Sequence, residues 1–234
     1  MDIDYYDRFG HFLNSSSPES SSSVVSNGED GEVKLVNLPN GEIGAFWISV
    51  SHPDGSPSSS KIRYSHAYPD QSWSNPVDVS QTFTNTDQNQ MCDHGNCSLT
   101  GLQAVSTPTG GLAVTAIKRA STGFLKEIYA YSSAAGETWT SSSVPLSASA
   151  NIYPPSLVAT SSGAVVSWAG HEGSNYFVRY ALLKTAGTAW STPKLFTSAT
   201  TAMYGTVVSR GANKVAIAAY AQRPVSKAIT RDLD

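Results

Sequence analysis

Several stretches of the sequence combine aromatic and polar side chains, a combination that binds sugars by stacking and hydrogen bonding. The clearest is His171-Glu172-Gly173-Ser174-Asn175-Tyr176, where two rings flank a carboxylate and an amide. A charged fraction of only 14%, beside 11 Tyr and 5 Trp, favours the same interpretation. Each residue could equally belong to an ordinary solvated loop. The candidate ligand-binding residues are His94, Arg119, His171, Glu172, Asn175, Tyr176 and Tyr204.

Acidic residues are present, but they do not form the pair that cleavage of a glycosidic bond usually requires. They are spread over different predicted loops: Asp70, Asp87, Asp93, Glu127 and Glu172. The pattern therefore predicts no catalytic residue from carboxylates alone. It predicts no cofactor either.

The two cysteines, Cys92 and Cys97, stand close together with His94 between them. A short disulfide that closes a loop is the simpler interpretation. A metal site is the alternative, but three ligands at this spacing match no strong zinc pattern. We therefore predict a disulfide and no metal.

The same segment bears on the location of the protein. Asn96-Cys97-Ser98 fits the sequon for N-glycosylation, and a disulfide persists in oxidising compartments. The chain opens with Met1-Asp2-Ile3-Asp4, which is acidic where a secretory signal would be basic, so no signal peptide is visible. The prediction is an extracellular or cell-surface protein.

Charge and hydropathy exclude two classes of partner. The formal net charge of −3 gives no basic surface for nucleic acid, and no apolar run reaches the length of a membrane span. We therefore expect no nucleic acid and no membrane insertion. The loops that carry the candidate ligand-binding residues are expected to bind a glycan or a cell-surface protein.

The elements that must position these loops are short strands in a repeated order. Each unit reads as an apolar strand, a Gly turn, a second apolar strand, a loop, a Tyr-bearing strand and a turn with Trp. The second strands are short and rich in small residues: Ile43–Ile48, Leu112–Ile117, Ala164–Trp168 and Lys214–Tyr220. The third strands alternate in polarity: Lys61–Ser65, Glu127–Ser132 and Phe177–Ala181.

A Trp follows each of these third strands, at Trp73, Trp139 and Trp190. Once an insertion at residues 81–96 is subtracted, the repeat is roughly 50 residues, which is typical of propeller blades. The predicted fold is all-β, a β-propeller of four-stranded antiparallel blades. The propeller repeats occupy residues 33–234, with units near 33–97, 98–152, 153–202 and 203–234.

Residues 1–32 form a separate predicted region, an aromatic segment followed by a Ser-rich linker. The last unit stops inside its third strand, which leaves an open sheet edge. The segment Tyr5–Leu13 could cover that edge, the chain could continue, or subunits could exchange strands. The last possibility predicts a homo-oligomer and, as an alternative function, a structural or filament-forming subunit.

Ser132-Ser133-Ala134-Ala135-Gly136-Glu137-Thr138-Trp139 resembles the Asp-box (BNR) repeat, Ser-x-Asp-x-Gly-x-Thr-Trp, of the sialidase-like β-propeller superfamily. The boxes are degenerate, because Ala134 and Ala67 stand where the Asp belongs. The box is a structural hairpin in which Gly makes the tight turn and Trp plugs the space between sheets. The corresponding structural residues are Trp73, Gly136, Trp139, Gly187 and Trp190.

The resemblance implies sialidase chemistry only if an arginine triad, a Tyr nucleophile with a Glu partner and an Asp acid are present. The family's Arg-Ile-Pro motif is absent from this chain, and Arg63 and Arg179 recur at equivalent strand positions. Tyr204 resembles the nucleophile, but Tyr153 holds the same place one unit earlier. The leading hypothesis is therefore a non-catalytic extracellular recognition module. The alternative is a sialidase-type hydrolase that uses Tyr204.

Overall fold

Every regular element that the structure describes is a β-strand. The computed structural model describes residues 3–6, 12–16, 30–51, 59–70, 72–84, 99–119, 126–141, 151–200, 203–209, 214–221 and 229–233. No helix in this part of the chain is long and apolar enough to cross a membrane. The all-β prediction is confirmed.

The strands from the N-terminus to residue 84 form a hairpin and the first sheet. In the hairpin, β1 (Ile3–Tyr6) pairs with β2 (Phe12–Ser16), and neither strand pairs with any other strand that the structure describes. The first sheet has the order β3, β4, β5, β6, and β7 also pairs with β5. Its strands are β3 (Asp30–Asn37), β4 (Ile43–Ser51), β5 (Ser59–Ala67), β6 (Val77–Asp78) and β7 (Phe83–Thr84).

The second, third and fourth sheets follow in chain order and repeat the antiparallel arrangement of the first. The second sheet contains β8 (Leu99–Ser106), β9 (Leu112–Arg119), β10 (Lys126–Ser133) and β11 (Thr140–Ser141). The third contains β12 (Asn151–Ile152), β13 (Ser156–Ala159), β14 (Ala164–Glu172), β15 (Asn175–Leu183) and β16 (Lys194–Ala199). The fourth contains β17 (Met203–Ser209), β18 (Val215–Ala221) and β19 (Ile229–Leu233).

Burial explains why the second strand of each sheet is composed mainly of apolar residues. In β14, the seven residues from Ala164 to Gly170 are all buried, because other sheets cover both faces of this strand. β5 instead alternates between buried and half-buried residues. Small and β-branched side chains suit a strand that is covered on both faces.

Three hydrophobic layers hold the four sheets together in sequence. The first layer, around Phe46 and Leu112, lies between the first and second sheets. The next, around Trp168 and Ile128, lies between the second and third sheets, and the last, around Val178 and Ile217, lies between the third and fourth. Each sheet is therefore stabilised mainly by its neighbours in the chain.

The first strands of successive sheets contact one another, and hydrogen bonds near both ends show that β3 and β8 run in the same direction. Near the start of β3, the Glu32 carboxylate accepts hydrogen bonds from the backbone N–H groups of Gly101 and Leu102 in β8, at 2.8 and 2.7 Å. Near its end, the carbonyl of Asn37 accepts a hydrogen bond from Ser106. The sheets consequently share two ends. We call the end where these first strands begin the loop end, and the opposite one the hairpin end.

A hairpin at the hairpin end, residues 133–139, packs the second sheet against the first. The Trp139 ring lies 5.6 Å from that of Phe46 and 5.7 Å from that of Tyr64. Gly136 has a φ of +85°, and a Cβ there would lie only 2.7 Å from Tyr64 Cε1. The positive φ and the close contact with Tyr64 therefore both require glycine at position 136.

A serine hydroxyl closes this turn by accepting hydrogen bonds from its backbone. Ser133 Oγ accepts hydrogen bonds from the backbone N–H of Gly136 at 2.7 Å and from that of Ala135 at 3.3 Å. Ala134, at the box position where Asp is expected, is exposed. The degenerate sequence therefore keeps a bonded turn by using a different side chain.

Two further hydroxyls connect this hairpin to its counterpart in the third sheet. Ser132 Oγ donates to the carbonyl of Thr188 at 2.8 Å and accepts from the N–H of Gly187 at 3.2 Å. Thr140 Oγ1 donates to the carbonyl of Gly187 at 2.9 Å. The hairpins are thus linked from sheet to sheet, as well as being packed.

The other two tryptophans of the repeat have different surroundings. Trp190 is 8% exposed and belongs to the layer between the second and third sheets, beside Trp168 and Ile128. Trp73 is half-buried and forms a bridge with Ala67. Trp139 and Trp190 therefore lie between sheets, whereas Trp73 belongs to the first sheet of the series.

Candidate functional site

Five aromatic side chains collect at the loop end of the third and fourth sheets. Tyr153 follows β12, His171 and Tyr176 lie opposite each other in β14 and β15, and Tyr204 and Tyr220 lie opposite each other in β17 and β18. We call these five residues the tyrosine patch. Tyr220 is 50% exposed and the other four are half-buried, so the patch forms a partly open surface.

The rings of the patch contact one another directly. Tyr204 lies between Tyr153, at 5.0 Å between ring centroids, and Tyr220, on which it stacks at 5.3 Å with an interplanar angle of 22°. His171 and Tyr176 form a second pair at 5.2 Å. These separations are typical of favourable aromatic contacts. The stacked pair presents ring faces and hydroxyls together.

Tyr153 interacts electrostatically with Tyr204 of the stacked pair and with Tyr176 of the second pair. Burial raises the pKa of the Tyr153 phenol, and the neighbouring Tyr204 and Tyr176 add to the rise, partly through a hydrogen bond with Tyr204. Phenols that hydrogen-bond and resist ionisation remain neutral donors and acceptors at physiological pH. Neutral hydroxyl groups are suited to polar, uncharged ligands.

Strand periodicity places the fourth-sheet tyrosines in the patch. In β17, Met203 and Val207 are buried against the third sheet, so the intervening even-numbered side chains belong to the opposite face. Tyr204 and Tyr220 are direct cross-strand partners in the antiparallel register. The same register that buries the core therefore brings the two rings together.

The turn beside the patch is closed by its own polar contacts. Glu172 Oε1 and Arg179 Nη1 form an ion pair at 3.3 Å, and the Arg179 guanidinium lies 4.2 Å from the Phe177 ring centroid. His171 Nδ1 lies 3.2 Å from the carbonyl oxygen of Gly173. Asn175 is exposed at the start of β15. Of these polar groups, the Asn175 amide is the most accessible to a ligand.

The arginines of the repeat are engaged with aromatic and acidic neighbours. Arg63 lies 5.7 Å from the Trp47 ring centroid, and its Nε is 3.3 Å from Asp78. Arg179 makes the matching combination of ring and carboxylate contacts. Among the described residues, Tyr204 has no contact with a carboxylate or a guanidinium. A nucleophilic Tyr would need such a base beside it.

A second cluster occupies the loop end between the first and second sheets. The Tyr129 hydroxyl donates to Glu127 at 3.1 Å, and Lys118 Nζ lies 3.8 Å from the same carboxylate. The Phe83 ring packs on Tyr129 at 4.8 Å. Burial, together with Glu127, raises the pKa of Tyr129 to about 12. In this cluster the charged groups, the hydroxyl and the rings are all in contact with one another, whereas the tyrosine patch is partly open.

Several of the predicted site residues lie outside the part of the chain that the structure describes. His94, Cys92 and Cys97 lie outside the described residues, so the disulfide stays a prediction. Arg119 ends β9, and its side chain also lies outside the described part. Within the described ranges, no group of three or more His, Cys, Asp or Glu side chains could hold a metal ion.

The structure brings His171, Tyr176 and Tyr204 into one region and adds Tyr220, which the sequence interpretation missed. Tyr153, which holds the place of Tyr204 one unit earlier in the sequence, contacts Tyr204 directly. Tyr220 could have been found from the register of the two strands, since the antiparallel pairing that joins Ser209 to Val215 also places Tyr220 opposite Tyr204. Without that register, the sequence pointed to Tyr204 alone of the stacked pair.

Comparisons with known proteins define the fold but no family. No protein-family model matches the chain, and no curated protein matches it. Among solved structures, it is similar to the Hadza microbial sialidase Hz136, with a TM-score of 0.51 and 10% identity over 94% of this chain and 50% of that one. It is also similar to the polysaccharide lyase Uly1, with a TM-score of 0.50 and 14% identity over 97% of this chain and 50% of that one.

At these identities the likeness concerns the fold alone. The chain has an all-β fold of the sialidase-like type, built from antiparallel sheets in sequence. It spans about half the length of each of these two solved structures.

Proposed function

We propose that the chain is a β-propeller recognition module that binds glycans through the tyrosine patch, at the cell surface or outside the cell. The observation that carries the proposal is the stack of Tyr204 on Tyr220, with Tyr153 on its other side, at a partly open end of the sheets. Sugar rings bind such surfaces through their C–H faces, while their hydroxyls bond to neutral polar groups.

The propeller part of the proposal is supported by the order of the sheets. Sheets follow one another along the chain, and their first strands contact in the order β3, β8, β13, β17. First strands that run in the same direction and converge on a common region are typical of blades around an axis. The similarity in fold to a solved sialidase structure supports the same arrangement.

The glycan part is supported by the balance of charge in the patch. The charged groups described near the patch are bonded to other parts of the chain: Glu172 pairs with Arg179, and Lys126 Nζ donates to the carbonyl of Ile152 at 3.2 Å. A neutral, hydroxyl-rich surface favours neutral ligands over strongly ionic ones. The names of the two solved structures, a sialidase and a polysaccharide lyase, concern carbohydrates and agree with this ligand class.

The direct test is a glycan array probed with the purified chain, with the Tyr204→Ala/Tyr220→Ala double variant as a matched control. We expect binding to a restricted set of glycans by the parent chain and loss of that binding in the variant, which should retain the circular dichroism spectrum of the parent. No binding across sialylated, fucosylated and galactosylated ligands would refute glycan recognition. Equal binding by both proteins would exclude the patch.

Hydrolysis of the sialidase type is the second candidate, favoured by the hydrogen-bonded and accessible phenol of Tyr204. A fluorogenic sialoside measures it directly, with Tyr204→Phe as the variant that removes only the hydroxyl. We expect no turnover by either protein. Turnover by the parent chain that disappears in Tyr204→Phe would replace recognition with catalysis.

A structural role by strand exchange is favoured by the edge of the fourth sheet. Among the described strands, β19 pairs with β18 alone, so its other edge is available for a strand from another chain. Size-exclusion chromatography with light scattering measures this directly. A concentration-dependent oligomer would support the role, and a monomer at all concentrations would exclude it.

A further inference from the structure

The face of the fourth sheet that carries Tyr204 and Tyr220 continues beyond the tyrosine patch. In β17 and β18, odd-numbered side chains such as Val207 pack in the layer against the third sheet. Because successive side chains of a strand point to opposite faces, Thr206 and Ala218 share the other face with the two tyrosines. Thr206 and Ala218 lie directly opposite each other in the register, next to the Tyr204–Tyr220 pair.

Side-chain size falls sharply between these two pairs of residues. Same-face neighbours in a strand are two residues apart, which is roughly 6.5 Å along the strand, so Thr206 and Ala218 directly adjoin the rings. Thr206 is exposed and Ala218 is half-buried. Two small side chains beside two large rings leave a shallow space on the sheet face, and we call this space the Ala218 depression.

The two stacked rings are not equally available to a ligand. Tyr204 has a ring neighbour on either side, Tyr153 at 5.0 Å and Tyr220 at 5.3 Å between centroids. Tyr220 has one described ring neighbour and is 50% exposed. Tyr220 can therefore offer ring surface to a ligand in the depression, whereas Tyr204 offers mainly its hydroxyl.

The polar groups that border the depression are uncharged. Thr206 Oγ1 lies 3.3 Å from Oγ of Ser156 in β13, so a pair of hydroxyls stands at its edge. The residues of β17 and β18 include no Asp, Glu, Lys or Arg. A ligand carboxylate placed over these two strands would lose water without gaining a cation from them, and this loss is costly.

From these features we propose that the depression holds one neutral hexopyranose ring of the glycan, packed against Tyr220, and that Ala218 and Thr206 determine which sugars fit. This placement rests on the proposed function and adds two specificity-determining residues to it. A pyranose packs its C–H face on an aromatic ring and bonds to polar groups through its hydroxyls. The small side chain of Ala218 provides the room, and Thr206 provides a hydroxyl.

The probes are the methyl β-glycosides of glucose, galactose, mannose and N-acetylglucosamine, with methyl β-glucuronide as the charged counterpart of the glucoside. Each is titrated against the full chain by ligand-observed saturation-transfer NMR. We expect saturable binding of at least one neutral glycoside, and binding of the glucuronide weaker by about tenfold or more. Binding of no neutral glycoside, or equal binding of the glucuronide, would overturn the proposal. Glycan-array binding that is lost in Tyr204→Ala/Tyr220→Ala would in that case leave the proposed function standing.

Variants then test the depression itself. Ala218→Leu fills it and should weaken binding of the best-bound neutral glycoside by about tenfold or more. Thr206→Leu crowds the same space from an exposed position, so it tests the depression even if circular dichroism shows that Ala218→Leu does not fold. Ala135→Leu, at an exposed position of the hairpin end, is the matched control and should leave binding unchanged.

Tyr220→Phe separates the ring from its hydroxyl. It should keep binding within about twofold of the parent chain, because the ring surface is what the sugar contacts. Unchanged binding in the folded Leu variants at positions 218 and 206, or a loss in Tyr220→Phe as large as that in Tyr220→Ala, would overturn the proposal. Either result would leave recognition by the patch intact, since Tyr220→Ala tests the patch separately.

Discussion

The hairpin end and the loop end of the sheets use aromatic residues in opposite ways. At the hairpin end, Trp139 and Trp190 lie between sheets, and hydroxyls such as Ser132 bond one hairpin to the next. At the loop end of the third and fourth sheets, Tyr204 and Tyr220 stack on each other and remain partly open. Covered rings stabilise the fold, whereas open rings are available to a ligand.

The largest expected effect comes from removing a covered ring. Trp190→Ala should lower the free energy of unfolding by about 3–5 kcal/mol, because it leaves a cavity between the second and third sheets. Chemical denaturation measures the loss. Trp190→Phe should cost less, since the buried Nε1 of Trp190 has no hydrogen-bond partner in the described part.

Trp73→Ala tests whether the cost of removing a hairpin Trp depends on its position in the repeat. Trp73 is half-buried and precedes the second sheet, so its removal should cost less than that of Trp190. Equal losses for the two variants would show that the hairpin Trp residues contribute alike, whatever lies next to them.

A smaller effect is expected at the glycine of the 133–139 hairpin. Gly136→Ala should destabilise by about 2–4 kcal/mol, since a positive φ and a close contact with Tyr64 both oppose a Cβ. Gly41→Ala has the same backbone strain but nothing within 4 Å, and it should cost about 1–2 kcal/mol. The difference between the two melting curves isolates the packing contribution.

Smaller again is the effect of the hydroxyl link between hairpins. Ser132→Ala removes two hydrogen bonds to the third sheet, including one from the N–H of Gly187, and should cost about 1–2 kcal/mol. Ser162→Ala, which removes an exposed hydrogen bond at the same end, is the comparison. If Ser132→Ala costs no more than Ser162→Ala, the link between hairpins is not stabilising.

The smallest effect on stability is expected in the tyrosine patch. Tyr220→Ala should change the free energy of unfolding by less than about 1 kcal/mol, because the ring is 50% exposed. Thermal unfolding checks this. A loss as large as that of Trp190→Ala would show that the patch is a part of the core.

Much of the fold could be predicted from local pattern. The largely apolar runs at Ile43–Ile48 and Leu112–Ile117 lie within β4 and β9, because a strand covered on both faces is built mainly from apolar residues. The comparison of residue 134 with the Asp-box pattern gave no indication of Ser133, whose hydroxyl bonds the turn. That bond depends on the local backbone geometry, which the residue pattern alone does not specify.

The site was harder to predict because it joins residues from different sheets. His171 and Tyr176 are close in sequence and could be grouped, whereas Tyr153 and Tyr204 meet only when two sheets pack. Contacts between sheets depend on packing distances that no local pattern contains.

The most direct test of the account is a titration of the strongest array glycan against three proteins: the parent chain, Tyr220→Ala at the loop end and Glu137→Gln at the hairpin end. The account predicts that Kd rises about tenfold or more in Tyr220→Ala, which corresponds to roughly 1.4 kcal/mol, and is unchanged in Glu137→Gln. An unchanged Kd in Tyr220→Ala, or a larger loss in Glu137→Gln, would contradict it.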